Sequence, residues 1–116
     1  MGYDRHECIV ISGWSSAEVL RAHEAAVSIF NPIGMGGLVG GLTQHAINGG
    51  AAFLVAPDGS KEGWADSDKG EAARSEFIEF LRSKEAPHIE WALILIGGDD
   101  GEYRVLQSPN DTPEAA

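Results

Sequence analysis

The sequence predicts an α+β domain: a ferredoxin-like α/β sandwich of order β-α-β-β-α-β, with an extra C-terminal edge strand and two helices on one sheet face. Three observations predict it. Apolar runs of strand length alternate with two amphipathic helical segments in that order. Each half places a Gly-Trp pair before its helix, Gly13-Trp14 and Gly63-Trp64, as two similar split units would. The 116 residues suit one domain, and a 43% hydrophobic content supplies a core of ordinary size.

The first strand, over residues 7–12, rests on the run Cys8-Ile9-Val10-Ile11. A continuous β-branched run suits a strand covered on both faces, and Gly13 ends it. The first helix follows with full punctuation. Ser15 caps it, Glu18 stands where a capping box needs it, and Trp14 and Val19 are spaced as a hydrophobic staple. Val19, Ala22, His23, Ala26, Val27 and Phe30 recur at helical spacing. Asn31-Pro32 stops the helix, because a residue before proline avoids the α region.

Residues 33–41 then hold Gly34, Gly36, Gly37, Gly40 and Gly41, which predicts a flexible loop of high conformational entropy. Residues 42–47 read as a strand, Asn48-Gly49-Gly50 as a hairpin turn and residues 51–56 as the returning strand. Pro57-Asp58-Gly59-Ser60 is a further turn. The second helix is expected from Ser67 or Asp68, with Asp68 and Glu71 as a box-like pair. Ala73, Phe77, Phe80, Leu81 and Lys84 share one face with Ile78 at its edge, and Glu71, Glu76 and Glu79 mark the wet side.

Residues 89–96 alternate early and then run apolar, as an interior strand does, with Trp91 in the core. A turn over residues 97–101 returns the chain as an edge strand, residues 103–106. One domain over residues 1–106 and a disordered tail over residues 107–116 complete the reading.

Charge narrows the function classes. The formal net charge is −10. Such a surface repels phosphate backbones and anionic membranes, so the expected partner is a basic protein, with no direct nucleic-acid or membrane binding. Cys8 is the only cysteine, so no internal disulfide forms, and its neighbours predict a buried thiol. The N-terminal residues are polar and of mixed charge, unlike a signal peptide, and no apolar run spans a bilayer. The cytoplasm is therefore the default location.

No motif names an enzyme or a cofactor. The glycine loop lacks the Walker Gly-Lys-Ser/Thr, and Val39 stands where the dinucleotide fingerprint needs glycine. His6, His23, His45 and His88 include no pair at the spacing of a helical zinc site. There is no Gly-x-Ser-x-Gly elbow. No catalytic or metal-binding residue is assigned. The candidate docking residues are Asp66, Asp68, Glu71, Glu76 and Glu79, with Asp99, Asp100 and Glu102 at the last hairpin. A carboxylate row can imitate phosphates and enter a basic groove; a merely solvated helix face is the bland alternative. Two other readings stand. One is a small-molecule site or enzyme on the open sheet face, with the glycine loop as lid and His45 beside it. The other is a homodimer through that face, which must meet something if it is apolar. Trp64, with Lys61 and Glu62, is either a buried anchor or part of a binding edge.

The segment Phe53 to Arg74, with its core Asp58-Gly59-Ser60-Lys61-Glu62-Gly63-Trp64, resembles small uncharacterised proteins of bacteria and their phages. The resemblance implies a phage or mobile-element accessory protein that inhibits a host nucleic-acid enzyme, of the anti-CRISPR or anti-restriction type. It carries over no catalytic residue.

Overall fold

The computed structural model describes residues 6–60, 64–97 and 101–110. The first strand, β1 (Glu7–Gly13), sits in the middle of the sheet because its apolar residues have neighbours to pair on both sides. It pairs antiparallel with β3 (Ala51–Val55) through Ile11 and Phe53, and with β4 (Ile89–Gly97) through Ile11 and Trp91. The short β2 (Thr43–Gln44) flanks β3, and β5 (Glu102–Gln107) flanks β4. The order is β2-β3-β1-β4-β5 in one five-stranded antiparallel sheet.

Pleating decides which face is dry. Ile9, Ile11, Phe53, Val55, Trp91 and Leu93 point to one side and form the core. On that side lie α1 (Ser16–Phe30), through Val19, Ala22, Ala26 and Phe30, and α2 (Ala65–Leu81), through Ala73, Phe77, Ile78 and Leu81. The architecture is thus α+β, two helices against a five-stranded antiparallel sheet. Val10, Leu54 and Ile96 alternate onto the opposite face and are exposed. The continuous apolar run of β1 therefore does not mean two covered faces.

Several local expectations need correction. Ser15 caps α1, accepting from the Glu18 N–H at 3.3 Å. Glu18 does not complete the box: its carboxylate accepts from the His88 N–H at 2.9 Å, tying α1 to the start of β4. Trp14 is no staple, since its ring is 69% exposed. A Cβ on Gly13 would stand 2.8 Å from Val19 Cγ2, so strand backbone already fills the place beside Val19.

The second helix starts before Ser67, not at it. The Trp64 carbonyl accepts from the Ser67 and Asp68 N–H groups, so the turn is wound by the time Asp68 is reached. Trp64 occupies the cap position without a side-chain bond and is 48% exposed, which removes it as a buried anchor. Lys61, Glu62 and Gly63 lie outside the described residues. Lys84 is exposed beyond the helix end, and the charged residue α2 buries is Arg74. The strand expected over 42–47 keeps only Thr43 and Gln44 in the ladder. His45 N–H still donates to the Gly50 carbonyl at 2.8 Å, but the Gly49 carbonyl turns to the Ser16 N–H at 3.3 Å, which draws residues 46–49 out of the sheet plane. Gln107 closes β5, and residues 111–116 lie outside the described residues.

Candidate functional site

The acidic expectation is tested first by where the carboxylates stand. Asp66, Asp68, Glu71, Glu76 and Glu79 are all exposed on α2, and among the described residues none is paired with a cation. Asp66 and Asp68 lie in the first turn, where the helix dipole favours negative charge. Lys69 is the exposed cation of that helix. Elsewhere, Glu24, Glu85 and Glu90 are exposed without a cation partner among the described residues. Glu102 differs: its carboxylate pairs with Arg104 at 3.1 Å. Asp99 and Asp100 lie outside the described residues. The pairings Ile9 with Val55, Glu7 with Leu95 and Gly97 with Glu102 put the end of β3 and the last hairpin at one end of the sheet. Since α2 follows β3, Glu102 and the first turn of α2 share that end.

An ionic clamp positions α2. Asp58, in the link between β3 and α2, accepts from the Ser60 N–H at 2.8 Å and the Ser60 hydroxyl at 2.6 Å. Its other oxygen accepts from Arg74 Nη1 at 3.0 Å. Arg74 Nε lies 3.6 Å from Glu7 on β1, an ion pair too long for a hydrogen bond. Burial alone would raise the Asp58 carboxyl. The two Ser60 bonds, then the bond and charge of Arg74, outweigh it and hold the group below its ordinary value. Gly70 is the helix residue facing this carboxylate, and a Cβ there would overlap Asp58 Oδ2.

The glycine-rich segment runs as two short 3-10 turns on the helix side. Gly34, at φ 78°, closes the first, and Gly36–Leu38 form the second. Ile33, Met35, Leu38 and Val39 pack against the core. Gly40 N–H donates to the Leu54 carbonyl at 2.8 Å, and His23 Nε2 donates to the Gly40 carbonyl at 2.9 Å. Gly37 and Gly41 are exposed. This segment does not lie beside His45. Gly40 sits at Leu54 while His45 sits at Gly50, about 13 Å further along β3 at ~3.3 Å per residue.

On the open sheet face, the sequence reading named His45 but missed the residues that gather around it. Cross-strand pairs Ile94–Val105 and Ile96–Tyr103 continue the apolar surface of Val10, Leu54 and Ala92. Val10, Ser12, Glu90, Ala92 and Ile94 line a shallow groove of about 290 Å³. At its end, Ser12, Gly13, Trp14, His45, Ile47, Asn48 and Glu90 enclose a hollow of about 160 Å³. Ser12 is the register partner of Glu90, and its hydroxyl lies 3.3 Å from His45 Nε2. Trp14 and Ile47 flank the hollow with 69% and 73% of their surfaces exposed. The usable signal was Ser12 itself, a polar residue alternating with Val10; its companions come from two other segments that only the register brings close.

Ser12 and His45 form a serine–imidazole pair, and among the described residues no hydrogen bond joins Glu90 to His45. Cys8 is buried, and burial pushes its thiol up, away from the reactive thiolate. Among the described residues, no three His, Cys, Asp or Glu side chains gather to hold a metal ion, and no helix is long and apolar enough to cross a membrane. No protein-family model matches the chain, and searches of curated proteins and of solved structures likewise return no match.

Proposed function

We propose that this protein is a non-enzymatic acidic binding module that docks the outward face of α2 against a basic protein surface. The observation that carries the reading is that Asp66, Asp68, Glu71, Glu76 and Glu79 share one exposed helix, with no cation among the described residues paired to any of them. From Asp68 to Glu79 the row covers about 16 Å at ~1.5 Å per residue, a length over which it can replace phosphates in a basic groove. The resemblance around Asp58–Trp64 makes a host nucleic-acid-handling enzyme of the cytoplasm the fitting partner, with inhibition as the outcome. The sandwich is ferredoxin-like in this reading: β4-β1-β3-β2 is the order that interleaved split units produce, and β5 extends it beside β4.

The test is affinity capture with the wild-type chain, followed by binding measurements on the partner recovered. Affinity falls as salt rises, and Glu71→Lys, Glu76→Lys and Glu79→Lys together weaken binding by at least about ten-fold, mostly through the association rate. Binding that survives both unchanged would falsify the reading.

A second reading is favoured by a separate observation. Val10, Leu54, Ile96, Tyr103 and Val105 are exposed on one nearly charge-free face. Strands of two to nine residues, ~4.8 Å apart at ~3.3 Å per residue, give a footprint of roughly 450 Å², a little over half of the ~800 Å² per partner of a standard interface. A second copy of the chain fits that face, leaving both α2 rows outward. Light scattering at high concentration decides it: a dimer that Ile96→Lys dissociates supports it, and a monomer removes it.

A further inference from the structure

We propose that the hollow between Trp14, Ile47 and Glu90 is an anchor site for an arginine side chain of a protein partner. The inference rests on the reading above that the partner is basic, and it names where and how one cation is held. Among the described lining residues, Glu90 carries the only carboxylate and no ammonium or guanidinium group stands beside it, so they bring net negative charge without an internal counter-ion. A cation entering it gains an ion pair that costs the protein no existing one.

The remaining walls select among cations. A 69% exposed indole is an unusual use of tryptophan unless something covers it, and an aromatic ring beside a carboxylate suits a planar guanidinium, which stacks and forks at once. Ser12, His45 and Asn48 supply polar atoms around the same opening. A volume of about 160 Å³ accommodates the four heavy atoms of a guanidinium at about 30 Å³ each, one water's share. Ile47 and the groove through Val10, Ala92 and Ile94 then offer apolar contact to residues flanking the arginine.

The neighbouring helix end does not reverse this preference. Two of the first three N–H groups of α1 already donate, Ser16 to the Gly49 carbonyl at 3.3 Å and Glu18 to Ser15 Oγ at 3.3 Å, which weakens the pull of this helix end on an anion. Local backbone geometry holds the shape. A Cβ on Gly50 would collide with the Gly13 carbonyl and with His45 at 2.5 Å, so only glycine lets the imidazole lie across the hairpin to Ser12. Asn48 and Gly49, both at φ 71°, make the turn that carries Ile47 to the rim.

The test is a titration of the ¹⁵N-labelled full chain with N-acetyl-L-arginine amide, its lysine analogue and its neutral citrulline analogue. The Trp14 indole N–H and the Gly13 and Asn48 amides shift saturably with the arginine probe, less with the lysine probe, and hardly with citrulline. Glu90→Gln weakens the arginine probe by about ten-fold, the size of one charge-assisted hydrogen bond. Glu90 is exposed, so the variant keeps its fold, which the dispersion of the same spectrum verifies; Trp14→Ala serves as the second variant. Equal response to citrulline, or shifts elsewhere with none at Trp14, overturns the assignment. The titration contains no partner, so its failure leaves the α2 docking reading standing, and α2 reversals that fail to weaken partner binding leave this titration unaffected.

Discussion

Removing the Asp58 carboxylate is the sharpest perturbation of the element that presents the acidic row. Asp58→Ala deletes the acceptor of both Ser60 bonds, at 2.8 and 2.6 Å, and of the 3.0 Å bond from Arg74. Arg74 is 10% exposed at its side chain, so its charge stays buried, with Glu7 at 3.6 Å as its remaining counter-charge among the described residues. Breaking a buried ion pair from one side costs about 3–5 kcal/mol, and the surviving Glu7 places this case near 3. That is a large share of the ~5–15 kcal/mol that holds a domain together. Urea denaturation followed by far-ultraviolet circular dichroism reads it. At a slope of roughly 1.5 kcal/mol/M, the midpoint falls by about 2 M. Adding Arg74→Met recovers part of the loss, because the orphaned charge goes with it and coupled residues are not additive. If Asp58→Ala lies within about 0.5 kcal/mol of wild type, the clamp does not hold α2, and the argument from its geometry fails.

Two further outcomes follow from the same clamp. Gly70→Ala, which in an exposed helix interior gains about 1 kcal/mol, here destabilises instead, because the new Cβ overlaps an Asp58 carboxylate that Ser60 and Arg74 hold still; a raised urea midpoint contradicts this. Stability also falls in acid through Asp58, whose carboxyl is held below its ordinary value. Its contribution is complete above the unfolded value of about 3.9 and is lost as pH falls through the lower folded one. The lead of wild type over Asp58→Asn in urea midpoint is therefore constant from about pH 7 to 5 and shrinks below about pH 4; a lead unchanged at pH 2.5 excludes the mechanism.

What could be read from the sequence was local, and what could not was the work of register. The first helix was legible at its start, from Ser15 as cap; its end does fall at Phe30, but not for the reason the proline rule gives, because Asn31 stays in the α region at φ −58° and ψ −46° and the chain continues as a 3-10 turn over Asn31–Ile33. The interior place of β4 was legible from its length and apolar run, and it lies between β1 and β5. The start of α2 was not, because no serine, threonine or aspartate caps it and a tryptophan stands in that place. The role of Arg74 could not be read, because its partners are a turn aspartate and a strand glutamate distant in the chain. Trp14 misled for a steric reason: the staple rule supposes a vacancy beside Val19 that the close approach at Gly13 has already filled. The hollow combines β1, the β2–β3 link and β4, and no spacing rule joins three such segments.

The two proposed surfaces make different demands on a partner, and physics assigns them different jobs. The acidic row lies on the outward side of α2 and the hollow on the far side of the sheet, farther apart than one layer spacing of about 10 Å. That exceeds the ~8 Å Debye length at physiological salt, so the row adds little to the energy of a cation already seated beside Glu90. Its field acts on encounter, over the many orientations in which a basic surface approaches. Glu90 and Trp14 act after contact, where water is excluded and each bond slows escape. Reversing Glu71, Glu76 and Glu79 must then change the association rate and its salt dependence, while Glu90→Gln must change the dissociation rate and leave the salt slope nearly intact. A variant of either surface that moved the other's rate constant would mean that the division between steering and anchoring is false.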